Sequence, residues 1–183
     1  MDETAGGSNS GRTKVLVEGA LCVALSVVFS YLKIFRMPQG GSITLEMAPL
    51  FFYAYRHGIG WGIMAGALSG VFQLIFEGYV VHPVQAFLDY PAAFACLGIA
   101  GIFGQSTPGI VAGTVMASVA RLFCHVLSGV IFFAAYAPEG ANVWLYSIVY
   151  NGTFMVPSVL ISAALALALW KKIFKRALIA EAD

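Results

Sequence analysis

Between Lys14 and Lys33 the chain holds one charged side chain, Glu18, and apolar runs of similar length recur as far as Trp170. A helix needs about 20 mostly apolar residues to cross a bilayer. Charged residues make up 10% of the 183 positions and hydrophobic residues 60%, against about 25% charged in a soluble domain. The expectation is an all-α membrane protein, a six-helix transmembrane bundle with no soluble domain.

Punctuation divides the runs. Residues 1–13 are polar and glycine-rich and lack the basic start and cleavage site of a signal peptide, so a disordered tail is expected. The first helix is expected from about Lys14 to Arg36, and MPQGGS (Met37 to Ser42) is a loop. A short second helix covers about Ile43 to Arg56, and Arg56-His57-Gly58 turns into a third, about Ile59 to Phe76. The fourth covers about Val84 to Phe103, the fifth about Ile110 to Tyr136, and the sixth about Val143 to Trp170. The bundle is then 14–176, with 177–183 a C-terminal tail.

Basic residues orient such a bundle. With both termini cytoplasmic, Arg12, Lys14, Arg56, Lys171, Lys172, Lys175 and Arg176 lie inside, and only Lys33 and Arg36 lie outside. A formal net charge of +1 gives no case for nucleic acid. Cys22, Cys96 and Cys124 have no paired spacing, so neither a disulfide framework nor a metal site is expected.

Against this background Asp89, in HPVQAFLDYP (82–91), is anomalous. An acid at membrane depth costs about 2.5–3.5 kcal/mol on insertion scales and is a functional hypothesis by default. At 1.5 Å rise per residue, Asp89 lies about 8 Å below the outer surface, His125 about 16 Å, Tyr146 about 5 Å and Asn151 about 12 Å. Groups from three helices therefore converge on the outer half, which implies an outward-facing ligand pocket. His125, Gly129 and Phe133 share one helical face; the competing reading is helix packing around a core histidine. Tyr146 and Asn151 differ by about 140° around an ideal helix, so an irregular turn or a divergent side chain is expected. Pro91 removes a backbone donor beside Asp89 and can kink that helix. An internal Asp89–Arg121 ion pair is the structural alternative to ligand binding. Gly58, Gly62, Gly66 and Gly70 suit close helix packing, and Ala20 and Ala24 form a small-residue pair on the first helix. No phosphate loop or HExxH is present, so the chain is not expected to be an enzyme. An intramembrane acid–base pair of Asp89 and His125 is the alternative from a different class.

MPQGGSITLE (37–46), HPVQAFLDYP (82–91), HVLSGVIFF (125–133) and YAPEGANVWLYSIVYNGTFMVPS (136–158) resemble the thiamin-specific S-components of energy-coupling-factor transporters. The likeness covers nearly the whole chain beyond Lys14. It implies a multi-pass protein of the prokaryotic cell membrane that captures thiamin from outside as cargo, not as a cofactor. Transport would need a membrane coupling subunit and two ATPase subunits on other chains. It also implies ligand contacts at Asp89, Tyr90, His125, Gly129, Phe133, Tyr146, Asn151 and Tyr79, and docking through Ala20 and Ala24. Some members carry Glu at the position of Asp89 and Trp at that of Phe133. A pocket for another vitamin or a pyrimidine precursor is the nearest alternative; it would need no partner for a cation. Thiamin itself joins a thiazolium cation, which suits a carboxylate and aromatic faces, to an aminopyrimidine needing donors and acceptors. Glycines of MPQGGS would let that loop close over it.

Overall fold

The computed structural model describes residues 5–38 and 40–180, with side chains for 11–38 and 40–173. Five helical runs account for nearly all of it: α1 (Ala5–Tyr31), α2 (Met47–Glu77), α3 (Pro83–Gly101), α4 (Thr107–Phe132) and α5 (Val143–Ala180). Each is long and apolar enough to cross a membrane.

The expected second and third helices are the two arms of α2, which folds back at Gly58. There φ is 80° and ψ −178°, outside any helix. A Cβ added to Gly62 would lie 2.9 Å from the Cβ of Ala54, whereas eight residues of straight helix would separate them by about 12 Å. Among the described residues five helices are long enough to span, one fewer than the six expected, because the second and third are joined through Gly58. A left-handed φ at the reversal suits glycine, which has no Cβ to clash.

Three boundaries differ from expectation. Helix α1 begins at Ala5, within the segment expected to be a disordered tail. No proline lies there, and extending a nucleated helix is far easier than starting one; residues 1–4 lie outside the described residues. At the other end α5 continues through the basic cluster to Ala180, and residues 181–183 lie outside the described residues. Ile43, expected at the start of the second helix, instead belongs to a strand. β1 (Phe35–Arg36) and β2 (Ser42–Ile43) pair antiparallel, Phe35 opposite Ile43 and Arg36 opposite Ser42. The reversal between them includes Gly40 and Gly41, both at positive φ.

The bundle is turned inside out relative to a soluble protein. Leu21, Met64, Val119, Phe123, Leu145 and Leu160 are exposed, while Ser26, Ser69, Ser128, Ser147 and Ser162 are buried. Lipid tails are as apolar as leucine, so the outer face gains nothing by hiding its hydrocarbon, and small or hydrogen-bonded groups fill the interior. Ser69 donates to Ser26 at 2.9 Å, joining α2 to α1. The glycine stripe packs internally: a Cβ on Gly66 would overlap the Phe94 carbonyl, and one on Gly70 would overlap the backbone at Tyr90 and Pro91. The second arm of α2 and α3 therefore meet backbone to backbone. Below them lies an aromatic core of Phe51, Tyr55 and Trp170, with the Tyr55 hydroxyl 2.7 Å from Thr114 Oγ1.

Two polar knots lie along α1, one near its middle and one just past its last residue. At one, Glu18 accepts from Arg56 Nε at 2.7 Å and lies 2.7 Å from His57 Nε2. At the other, Lys33 pairs with Glu77, which also accepts from Ser30. The hairpin and the main cavity lie at this second knot. The chain thus enters and leaves at the end remote from the cavity.

Candidate functional site

Leu88–Ala92 forms a π-helical turn in α3 around Pro91. Proline cannot donate to the helical ladder, so the helix widens by one residue there. Asp89 sits inside this turn, and the kink expected beside it takes this form.

Three neighbours hold Asp89. Gln85 Nε2 donates to Oδ2 at 2.8 Å, Ser128 Oγ donates to Oδ2 at 2.7 Å, and His125 Nδ1 lies 3.0 Å from Oδ1. Gln85 also donates to the Tyr79 carbonyl and accepts from the Val81 N–H, fixing the loop that carries Tyr79. The expected alternative, an ion pair between Asp89 and Arg121, does not form. Arg121 Nη2 donates to Glu46 Oε1 at 2.7 Å, and its guanidinium lies 4.0 Å from the Phe94 ring centroid. The lower position of Arg121 on α4, one turn beneath His125, explains the choice.

A cavity of about 240 Å³ opens among these groups. Asp89, Tyr90, His125, Gly129, Phe133, Tyr146, Asn151 and Tyr79 all line it. The angular conflict between Tyr146 and Asn151 disappears because the cavity is wide. Tyr150, Phe154 and Ser147 fill the arc between them, and all line the same space. Helix α5 is regular here, so neither an irregular turn nor a divergent side chain is needed. Asn151 is held by the Ser147 carbonyl at 2.9 Å.

Aromatic rings gather toward the mouth: Phe133 stands 6.3 Å from Tyr79 and 6.1 Å from Tyr136, and Tyr146 stands 6.1 Å from Tyr150. Gly129 serves packing as well as the cavity, since a Cβ there would overlap Ser147 Oγ on α5. The hairpin closes one side: Tyr150 Oη donates to the Gly40 carbonyl at 2.7 Å, and Gly41 packs on the Phe154 ring. A hydrogen-bonded acid beneath aromatic faces, with amide and hydroxyl groups beside it, is an environment suited to a desolvated aromatic cation.

A family described as thiamine transporter protein (Thia_YuaJ) matches residues 16–177. The chain belongs to the thiamine transporter protein family. It is 38% identical over 164 residues to the thiamine transporter ThiT of Bacillus subtilis, covering 81% of this chain and 85% of that protein. To ThiT of Lacticaseibacillus paracasei it is 30% identical over 155 residues, covering 75% and 77% respectively. Among solved structures, ThiT from Listeria monocytogenes superposes with a TM-score of 0.81 at 30% identity, covering 90% of this chain and 97% of that one. The S component of a bacterial energy-coupling-factor (ECF) transporter shares the fold, with a TM-score of 0.64 at 15% identity and coverage of 91% and 98%.

As a member of a transporter family the protein is not an enzyme, and the acid–base reading of Asp89 with His125 falls away. In this thiamine transporter family member, Ala20 and Ala24 are exposed on the lipid side of α1. Several cavity residues escaped sequence reasoning. Ser128 is a common packing residue in membrane helices; its signal was its place three residues beyond His125. Glu46 lies in a stretch expected to be a marginal helix, and Lys33, Arg36 and Glu77 look like interfacial charges. Among the described residues no group of three or more metal-ligating side chains occurs.

Proposed function

We propose that this protein is the thiamin-capturing S-component of an ECF-type transporter, with the cavity beneath the hairpin as its binding site. The supporting observation is the hydrogen-bonded Asp89 within a lining that carries each of the eight ligand contacts the resemblance implies. Asp89 and the aromatic faces of Phe133 and the tyrosines take the thiazolium cation. Tyr146, Asn151 and Asp89 supply donors and acceptors for the aminopyrimidine.

The bias of basic residues supports cytoplasmic termini, with the cavity facing outward. Exposed Ala20 and Ala24 let a partner helix approach α1 closely, and they form the docking face for a membrane coupling subunit. That subunit, with two ATPases on other chains, drives release inward.

Calorimetric titration of the purified protein with thiamin tests the assignment, with Asp89→Asn as the control. Loss of the charge is expected to weaken binding at least tenfold, about 1.4 kcal/mol. Equal affinity for thiamin and for an uncharged aminopyrimidine would instead identify a pyrimidine carrier.

A further inference from the structure

The buried Glu46–Arg121 pair plays no part in the contacts assigned to the vitamin, yet it touches the group that orients Asp89. Arg121 lies one helical turn from His125, and its Nε donates to His125 Nε2 at 3.4 Å. A guanidinium has only donors. His125 Nε2 must therefore offer its lone pair, which leaves the ring proton on Nδ1. That nitrogen stands 3.0 Å from Asp89 Oδ1. Direction then runs one way, from Arg121 through His125 to Asp89. Gln85 and Ser128 also donate to this acid, so all three neighbours complement an ionised carboxylate.

The pair is an expensive way to fill the interior. The side chains of Arg121 and Glu46 are only 6% and 12% exposed. An apolar pair of the same volume is often as stable as a buried ion pair or more so. Glu46 also lies three residues beyond β2, where the hairpin strand returns to the bundle. Its hold on Arg121 therefore ties the cavity floor to the element that covers the cavity.

We infer that Glu46 and Arg121 are positioning residues: they hold His125 as the Nδ1–H tautomer, so that Asp89 meets its ligand charged and fixed in direction. The identity of that ligand rests on the function proposed above; the tautomer does not. The test uses the full-length protein with 15N-labelled histidine, His125 being assigned by difference from a His125→Gln sample. Wild type is expected to show one protonated and one bare ring nitrogen for His125 without any ligand.

Glu46→Gln/Arg121→Met removes both charges together, so the fold is expected to persist at an equal or higher Tm. In this variant the ring proton is expected to be shared between the two nitrogens, and the Kd for thiamin rises about tenfold, as for loss of a hydrogen bond to a charged group. Arg121→Lys keeps a cation on Glu46 but lacks the Nε aimed at His125. It is expected to retain wild-type stability with a mixed tautomer and weakened binding. A wild-type tautomer in the double variant, or a mixed tautomer with unchanged Kd, would overturn the inference. Failure of the wild type to bind thiamin would instead sink the proposed function, while the tautomer measurement would stand.

Discussion

The backbone N–H of Tyr79 donates to the hydroxyl of Tyr90 at 2.8 Å, joining the loop before α3 to the π-helical turn within it. Two aromatic residues that read as separate ligand contacts are thereby one structural unit. Tyr90→Phe keeps the ring and leaves this N–H without its acceptor, a change of about 1 kcal/mol. The loop carrying Tyr79 is expected to loosen. Stopped-flow measurement should show thiamin dissociating several-fold faster, with Tm falling by only a few degrees.

Ser128 gives a graded version of the Asp89 experiment. Ser128→Ala removes one of three donors to the carboxylate and leaves the charge in place. A loss of about 1–2 kcal/mol in binding is expected, smaller than for Asp89→Asn combined with Ser128→Ala. Calorimetry of the single and double variants checks this. If the two changes add fully, Ser128 does not act through Asp89.

The hairpin is latched to α5 by Tyr150, whose hydroxyl donates to the Gly40 carbonyl. Tyr150→Phe is expected to raise the dissociation rate of thiamin by about fivefold to tenfold, matching the net worth of one hydrogen bond. The association rate is expected to stay nearly constant, since opening is not hindered. A change confined to association would show that the loop covers the cavity in some other way.

Gly58 and Gly66 separate two reasons for conserving space on a backbone. A Cβ on Gly58 meets nothing within 4 Å, but φ there is 80°. A Cβ on Gly66 overlaps the Phe94 carbonyl in an ordinary helical conformation. Gly58→Ala is expected to cost about 1–2 kcal/mol as local strain, with ligand affinity retained. Gly66→Ala must push α3 aside, carrying Asp89 with it, and is expected to weaken both stability and binding. Thermal melts with and without thiamin distinguish the two.

Much of this site was legible because helices preserve order. Depth followed from counting residues, and the shared face of His125, Gly129 and Phe133 followed from the helical period. Those two rules suffice to bring Asp89, His125 and Asn151 into the outer half of the bundle, where all three line one cavity. They fail for Glu46, which reaches Arg121 from the end of an irregular segment, 75 positions away in the chain. Asp89 was the only partner for Arg121 that helical bookkeeping offered. The two-residue strands were likewise invisible, because Phe35–Arg36 and Ser42–Ile43 are too short to show alternation. Nor could composition tell that Gly129 accommodates Ser147 as well as lining the cavity.

The glycine seam between α2 and α3 limits how the protein can deform. Side chains yield by changing rotamer, but a carbonyl lodged against a glycine has no such freedom. Gly62, Gly66 and Gly70 rest on the backbone of Gly98, Phe94 and Tyr90 along several turns. These two helices form an incompressible spine, and sliding one past the other would drive backbone into backbone. Admission and escape of a bound molecule must therefore come from the opposite wall, where tyrosine and phenylalanine rings of α5 meet the hairpin and can rotate aside.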